Sequence, residues 1–294
     1  MKKAFIQLHI AVFLAGFTAI LGKLITLNEG LLVWYRLLLS VIIIGSVSIY
    51  KKELKGIHWT DFFRISRVGL ILAIHWVTFY GSVKYANASI AVVCMSGSGF
   101  FSALLEPLIQ RKKIVVVELL LGLIAIFGIY IIFDFHPQYK TGIIFGVISA
   151  LGSSVFPIYN KQLLKKFTPE TLVFFEFTGG FLLLTCFLPF YFMSFKPLFY
   201  LPSPSDWFWL LIMSIFCTVI AFDLQLKSLK KISAFTQNLT YNLEPVYGII
   251  LAFIVFNEHG MLNKHFYFGL GFIILAIVLQ MVRVLLSPKR IINN

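Results

Sequence analysis

The chain has 294 residues, of which 59% are hydrophobic and 13% are charged, and it carries a formal net charge of +13. Soluble domains average about 25% charged residues, whereas apolar runs of bilayer length recur along this whole chain. The composition therefore excludes a soluble globular domain and indicates an integral membrane protein with many spans. The positive charge lies mostly on one side of the predicted membrane, so it gives no reason to expect a nucleic-acid partner.

Ten apolar runs predict ten transmembrane helices. They lie at about 4–26, 31–50, 65–84, 88–109, 114–133, 141–160, 170–194, 207–226, 232–256 and 266–286. We count the first run as a helix and not as a signal peptide, because it is long and no small-residue cleavage site leads into a soluble chain. Most Lys and Arg residues share one side of the membrane with the N-terminus, so both termini are predicted to be cytoplasmic. The three cysteines lie inside apolar runs, which favours core residues over disulfides or metal ligands.

The two halves of the chain resemble each other. Residues 82–88 (SVKYANA) match residues 228–234 (SLKKISA) at three positions, and Gly122 aligns with Gly269. These matches pair five predicted helices in residues 1–136 with five in residues 137–294. Because five is odd, the second copy enters the membrane from the opposite side. The predicted fold is therefore an all-α integral membrane protein with ten transmembrane helices in two inverted five-helix repeats, and such proteins bind substrate near the midplane.

The ninth run combines a polar first half with an apolar second half. At about 100° per residue, one broad face holds Gln237, Thr240, Tyr241, Glu244, Tyr247 and Gly248. We expect this face to point to the protein interior, with the apolar strip opposite it facing lipid. Pro245 interrupts the helix, because it has no N–H to bond the carbonyl of Tyr241. Broken helices with polar groups near the midplane hold substrates in transporters; the alternative is that the amides here bond neighbouring helices.

Two charged residues lie within spans at corresponding positions of the two halves. Arg36 lies in the second span, toward the outer surface, and Glu176 lies in the seventh, toward the inner surface. Charges at such depths are costly and mark functional sites. We expect Arg36 to attract an anionic group of a substrate and Glu176 to help gate the inner half of the cavity. Snorkelling of Arg36 to lipid headgroups is the alternative.

The third and fourth spans add polar and aromatic candidates. His75 and Trp76 lie near the middle of the third span, shortly before Thr78, and suit a cavity for amphipathic metabolites. A histidine bonded to a neighbouring helix is the alternative. Ser98 lies in a Ser-Gly-Ser-Gly sequence that also fits close helix packing. The predicted substrate-binding residues are Arg36, His75, Trp76, Thr78, Ser98, Gln237, Tyr241 and Glu244; the predicted gating or coupling residues are Glu176, Glu244 and Pro245.

The sequence resembles the EamA-type family of the drug/metabolite transporter superfamily. The resemblance rests on residues 31–40 (LLVWYRLLLS), which carry Arg36, on residues 243–258, which carry Pro245, and on a glycine in the last span. The first half departs from the family pattern, because Ser98 and Arg111 stand where its Pro and Glu are expected. The resemblance implies a basket of spans 1–4 and 6–9 around a central cavity, with spans 5 and 10 at the periphery.

The resemblance also implies a function. Members of the family include exporters of amino acids and other small metabolites, so we expect a secondary-active transporter that exports such compounds by alternating access. If transport is coupled to protons, Glu244 is the expected proton-linked group. We expect no cofactor and no metal, a small-molecule substrate, surrounding membrane lipid, a monomer, and a bacterial inner (plasma) membrane location.

Three other functions compete with this prediction. An intramembrane enzyme acting on lipid is disfavoured, because the chain lacks His-Glu-x-x-His and Gly-x-Ser-x-Gly motifs, and it has no nucleotide-binding loop for direct use of ATP. A nucleotide-sugar carrier would need several cations near the midplane, and Arg36 and Lys23 are the sequence's candidates. A passive channel would differ from a transporter by lacking saturation and counterflow.

Overall fold

The helices of the protein follow the predicted spans closely. The computed structural model describes residues 2–52, 56–111, 113–135, 137–232, 237, 240–241, 243–257 and 263–286, and its regular structure in these ranges is entirely helical. The main helices in chain order are α1 (Lys2–Leu24), α2 (Glu29–Tyr50), α3 (Trp59–Tyr85), α4 (Ala88–Gln110), α5 (Val116–Phe135), α6 (Lys140–Leu163), α7 (Pro169–Ser194), α8 (Pro204–Leu229), α9 (Glu244–Phe256) and α10 (Lys264–Leu286). Most of the first half of the ninth predicted span lies outside the described residues.

The helices have the length and surface of membrane spans. Seven of those described, α1 to α4 and α6 to α8, are long and apolar enough to cross a bilayer. In α5, α9 and α10 the apolar stretches are shorter, at Val116–Ile132, Glu244–Phe256 and Lys264–Leu279. Large apolar side chains are exposed around the outside, including Ile42, Phe127, Phe190, Ile254 and Phe268. Such a surface is stable in lipid and costly in water. The protein is therefore an integral membrane protein.

Interruptions divide three of the described helices. α1 divides at Phe17 into Lys2–Gly16 and Thr18–Leu24, α4 divides between Ala88–Met95 and Ser98–Gln110, and α8 contains a π turn at Ile215–Ile220. Within the π turn, the Thr218 hydroxyl donates a hydrogen bond of 2.9 Å to the carbonyl of Met213, five residues earlier. π turns recur at functional sites, and this one lies beside the cavity described below.

α5 and α10 pack mainly against each other, whereas the other helices form the central bundle. The two cross at glycines: a Cβ atom on Gly128 would lie 2.5 Å from the Gly269 carbonyl oxygen, and one on Gly269 would lie 2.6 Å from the Gly128 carbonyl oxygen. The crossing therefore has no room for a side chain at either glycine. Gly271, two residues further along α10, has no atom within 4 Å of such a position.

α3 lies at the centre of the bundle, in extensive contact with α6 and α7. The crossing of α3 and α7 is again backbone against backbone. A Cβ atom on Gly69 would lie 2.1 Å from the carbonyl oxygen of Glu176, and one on Gly180 would lie 2.7 Å from the carbonyl oxygen of Gly69. Small residues allow this close approach of helices in membranes. The packing ties the α7 backbone at Glu176 to the helix that carries His75 and Trp76.

Candidate functional site

A cavity opens near the middle of the bundle. Its lining comes from α1, α2, α3, α4, α6, α8 and the region around the start of α9: Ala15, Thr18, Arg36, His75, Trp76, Phe79, Met95, Ser98, Ser153, Phe156, Cys217, Ala221, Phe222, Gln225, Tyr241 and Glu244. In the described part of the chain, α5, α7 and α10 contribute no lining residue. The lining thus combines aromatic and apolar side chains with polar and charged groups, as small-molecule sites do.

Arg36 is held in place by three hydrogen bonds and an aromatic ring. Its Nε donates to the Thr218 hydroxyl at 2.7 Å, one terminal nitrogen donates to the Tyr80 hydroxyl at 2.6 Å, and the other donates to the Cys217 carbonyl at 3.1 Å. Its guanidinium carbon lies 3.7 Å from the centroid of the Trp76 ring. Arg36 is only 2% exposed, so it does not snorkel to headgroups. Three of its five N–H groups are used, which leaves two for a ligand.

The aromatic wall beside Arg36 is continuous. Trp76 packs edge-to-face on Phe222 with ring centroids 5.6 Å apart, and Phe222 stacks on Phe156 at 5.9 Å. Phe177 of α7 supports this wall from behind, at 5.8 Å from Trp76 and 5.2 Å from Phe222. Interlocked rings of this kind form a rigid apolar surface. The wall can therefore contact the apolar part of a ligand whose anionic group binds Arg36.

Glu244 brings a negative charge to the same cavity. It is the first residue of α9, it is 8% exposed, and Pro245 follows it in the first turn of the helix. α9 therefore begins at the residue before Pro245. Glu244 and Arg36 attract each other electrostatically, although no hydrogen bond or ion pair joins these two described side chains. Tyr241, one turn earlier, also lines the cavity.

His75 and Ser98 line the cavity from α3 and α4. The His75 Nδ1 atom lies 2.8 Å from both the carbonyl oxygen and the hydroxyl oxygen of Ser149 in α6, and that hydroxyl donates to the His75 carbonyl at 2.9 Å. His75 is therefore bonded to a neighbouring helix and faces the cavity at once. Ser98 begins the second part of α4 and is buried there.

Four predicted binding or gating residues do not line the cavity. Thr78 is absent from the lining, and its hydroxyl donates to the Ile74 carbonyl of its own helix at 2.8 Å. Gln237 is fully buried, and its amide nitrogen and oxygen have no partner among the described residues. Pro245 is buried in the first turn of α9. Glu176 lies elsewhere again, in a separate polar pair.

That pair joins α7 to α6. The Asn160 Nδ2 atom donates to Glu176 Oε2 at 3.3 Å. The other carboxyl oxygen of Glu176 and the amide oxygen of Asn160 are buried without a hydrogen-bond partner in the described structure. Arg36 and Glu176, which the sequence predicts to occupy corresponding positions, therefore contribute to different sites.

The sequence reasoning missed several residues of the site. Tyr80 lies four residues after Trp76 and so shares its helix face, a spacing that could have identified it. Thr218 and Gln225 are polar residues inside the apolar run of α8, which is also a readable signal. The Cys217 carbonyl and the Phe156 ring give no sequence signal, because their positions depend on how the helices assemble.

Polar contacts also close one end of the bundle. The Asp206 carboxylate accepts hydrogen bonds from the Thr26 backbone at 2.6 Å and from the Thr26 hydroxyl at 2.8 Å. The Tyr191 hydroxyl donates to Glu29 at 2.5 Å. These bonds fasten the loop between α1 and α2 to the start of α8 and the end of α7.

Comparison with known proteins places the chain among membrane transporters. The profile of the EamA-like transporter family matches residues 2–134 and again residues 140–282. YetK of Bacillus subtilis, described as an uncharacterized transporter, is 25% identical over 272 residues, which cover 87% of this chain and 80% of YetK. An uncharacterized transporter of Haemophilus influenzae is 24% identical over 162 residues, covering 52% of this chain and 53% of the relative.

Two further comparisons extend these matches. An uncharacterized transporter of Archaeoglobus fulgidus is 25% identical over 138 residues, so its match, like the Haemophilus one, spans about half of the relative's length (49% and 53%). A solved structure described only as "Crystal structure of protein" matches with a TM-score of 0.67 at 15% identity, over 94% of this chain and 96% of that one. This last likeness concerns the fold alone.

Proposed function

The chain belongs to the EamA-like transporter family, and from this premise we propose that it is a secondary-active transporter that exports small zwitterionic metabolites such as amino acids by alternating access. The observation that carries the proposal is the charge arrangement of the cavity. A buried arginine and an ionisable carboxyl, Arg36 and Glu244, line one cavity whose remaining wall is largely aromatic. A zwitterion with an apolar side chain matches all three features.

The proposed topology is ten transmembrane helices in two inverted repeats, residues 1–136 and 137–294, with both termini cytoplasmic. The two matches to one family profile, over residues 2–134 and 140–282, support a repeat. The mutual packing of α5 and α10 beside the central bundle fits equivalent places for these helices. The proposed location is a bacterial inner membrane, with the protein as a monomer.

Each proposed site residue has a physical role. The two remaining N–H groups of Arg36 bind the carboxylate of the substrate, since a guanidinium suits bidentate recognition. Glu244 accepts the substrate ammonium. Trp76 contacts the apolar part, and His75 and Tyr241 complete the polar lining. Ser98, at the break in α4, leaves room for the ligand.

The interruption of α9 supports a gating role for Glu244 and Pro245. Pro245 cannot bond the Tyr241 carbonyl, so the chain bends at this point at low cost. Movement there repositions Glu244 relative to Arg36. Glu176 contributes to the inner gate, because it joins α7 to α6 on the predicted inner side. A nucleotide sugar fits the cavity less well, since Arg36 is the one Lys or Arg among the described lining residues.

The test is export of an amino-acid panel from preloaded cells, with wild type compared with Glu244→Gln at equal expression. We expect wild type to lower the retention of amino acids with apolar side chains, and Glu244→Gln to reduce that export at least about tenfold, as expected for loss of a buried charge contact. Glu170→Gln is the matched control, because Glu170 pairs with Lys227 away from the cavity and should export normally.

Analogues sharpen the test. Amines that lack the carboxylate and acids that lack the ammonium should compete poorly with the parent amino acid, because each leaves one cavity charge unpaired. If single-charge analogues compete equally well, the zwitterion proposal is wrong. If wild type exports no compound in the panel, the substrate class is wrong, and import and lipid substrates come next.

A further inference from the structure

Glu176 is the most deeply buried of the candidate charges and lies outside the substrate cavity. Its side chain is 1% exposed in α7. The one hydrogen bond to its carboxyl group comes from the Asn160 amide, at 3.3 Å, beyond the usual range for a strong charge-assisted bond. A carboxylate at this depth normally needs a cation or several donors. Glu176 has neither in the described structure.

Two atoms of this pair can only accept a hydrogen bond and have no donor. Glu176 Oε1 and the Asn160 amide oxygen are buried and lack partners among the described residues. Carboxylate and amide oxygens only accept hydrogen bonds, so the unpaired oxygens of Glu176 and Asn160 have no donor hydrogen available to them. A proton on Glu176 supplies it and removes the charge.

Charged groups on the surrounding helices are engaged elsewhere or point outward. Arg36 of α2 bonds Tyr80 and Thr218, and Asp61 of α3 pairs with Lys166. Lys161 of α6 donates to the carbonyls of Leu229 and Ile232. Lys227 of α8 pairs with Asp223 and Glu170. His75 of α3 bonds Ser149, and Arg64 and Arg67 of α3 are exposed. Within the described residues, no cation compensates a negative charge on Glu176.

We infer that Glu176 carries a proton in this state, and that the pair of Glu176 and Asn160 is a proton-binding site of the transporter, separate from the substrate cavity. This inference rests on the proposed transport function. The sequence alone favoured Glu244 for the coupling proton. In the structure, however, Glu244 faces the cavity and the charge of Arg36, whereas Glu176 has no opposite charge.

The site is connected to the cavity through packing. Phe177, the next residue, contacts Trp76 and Phe222 of the cavity wall. The Glu176 backbone touches α3 at Gly69. Loss of the proton leaves a charged carboxylate on Glu176 between α6 and α7. This charge stabilises a conformation in which water reaches the carboxylate. The resulting movement of α7 shifts Phe177 and hence the aromatic wall. Proton release and substrate release are coupled in this way.

Infrared spectroscopy tests the protonation directly, with or without a known substrate. A protonated carboxylic acid has a carbonyl stretching band that a carboxylate and an amide lack. We expect the spectrum of reconstituted wild type at neutral pH to show this band, Glu176→Gln to lose it, and Glu170→Gln to keep it. A band unchanged in Glu176→Gln overturns the inference, because the proton would then reside elsewhere.

Transport in proteoliposomes tests the coupling. With radiolabelled leucine as the probe, a pH gradient should drive accumulation by wild type. Glu176→Gln, which imitates the protonated form, should still exchange leucine, and its ratio of gradient-driven accumulation to exchange should fall at least about tenfold below that of wild type, since a fixed neutral group transmits no proton driving force. Glu176→Asp keeps an acid and should retain part of the accumulation.

The outcomes separate this inference from the proposed function. Gradient-driven accumulation by Glu176→Gln equal to that of wild type overturns the proton site while leaving transport intact. Wild type that neither exchanges nor accumulates leucine counts against the proposed substrate, and the infrared comparison then decides the protonation of Glu176 by itself. Loss of accumulation with exchange retained in Glu244→Gln, and no such loss in Glu176→Gln, would assign the proton to the cavity instead.

Discussion

Arg36 in α2 and Glu176 in α7 show two ways of burying an ionisable side chain in a membrane protein. Both are almost inaccessible, at 2% and 1% exposure. Arg36 has three hydrogen-bond acceptors and the face of Trp76. Glu176 has one amide donor, and one of its oxygens has no partner in the described residues.

The difference follows from chemistry. A guanidinium stays charged under all physiological conditions, so its burial requires the surrounding helices to supply acceptors. A carboxyl can become neutral by binding a proton, so it tolerates a poorer environment. The well-ligated charge is suited to hold a ligand in a fixed place. The poorly ligated one is suited to change state, which is what coupling requires.

The largest effect should come from Arg36→Lys. An ammonium has its donors on one atom and cannot bond Thr218, Tyr80 and the Cys217 carbonyl in the planar fork that Arg36 makes. Breaking a buried, hydrogen-bonded charge costs about 2–5 kcal/mol. We therefore expect leucine exchange to fall more than tenfold and the protein to unfold at a lower temperature in detergent.

The contrast between the two buried groups is wrong if Arg36→Lys and Glu176→Gln have the same unfolding temperature. Glu176→Gln should preserve the unfolding temperature, because glutamine imitates the neutral acid. Equal unfolding temperatures for wild type and Arg36→Lys, with normal exchange, would show that the three bonds of Arg36 are dispensable. The same thermal unfolding measurement on both variants, at one detergent concentration, provides the contrast.

A smaller effect is expected at the packing that supports Glu176. In Gly69→Ala, the new methyl group would lie 2.1 Å from the Glu176 carbonyl oxygen, so α3 and α7 must separate. Overpacking of this kind costs about 1–3 kcal/mol. Thermal unfolding should show the loss, while Gly271→Ala, where no atom lies within 4 Å, serves as the control. Equal stability of the two variants would contradict the close packing at Glu176.

The sequence predicts the helices and the buried charges well, because both are local signals. Apolar runs of bilayer length give each helix, although α3 begins at Trp59, several residues before the predicted start. Arg36 and Glu176 are visible as single charges inside such runs. Pro245, in the first turn of α9, is an equally local signal, because a proline has no N–H to continue a preceding helix.

The partners of these charges could not be predicted, because they depend on assembly. Thr218 lies 182 residues from Arg36 in sequence, and it reaches Arg36 from a π turn that no periodicity of the sequence indicates. Asn160 reaches Glu176 from α6 in the same way. The sequence gives the charge and its depth, and the fold decides whether that charge is ligated.

The smallest effect is expected at Thr78, which the sequence grouped with His75 and Trp76. Its hydroxyl bonds the Ile74 carbonyl of its own helix, and a hydroxyl used in this way contributes little to stability. Thr78→Val should therefore leave leucine exchange within about twofold of wild type, because it deletes only a local bond of about 1 kcal/mol. Exchange kinetics at several leucine concentrations measure this. A selective rise in the half-saturating concentration would mean that Thr78 turns into the cavity when substrate binds, and that α3 rotates relative to the fixed Arg36 during transport.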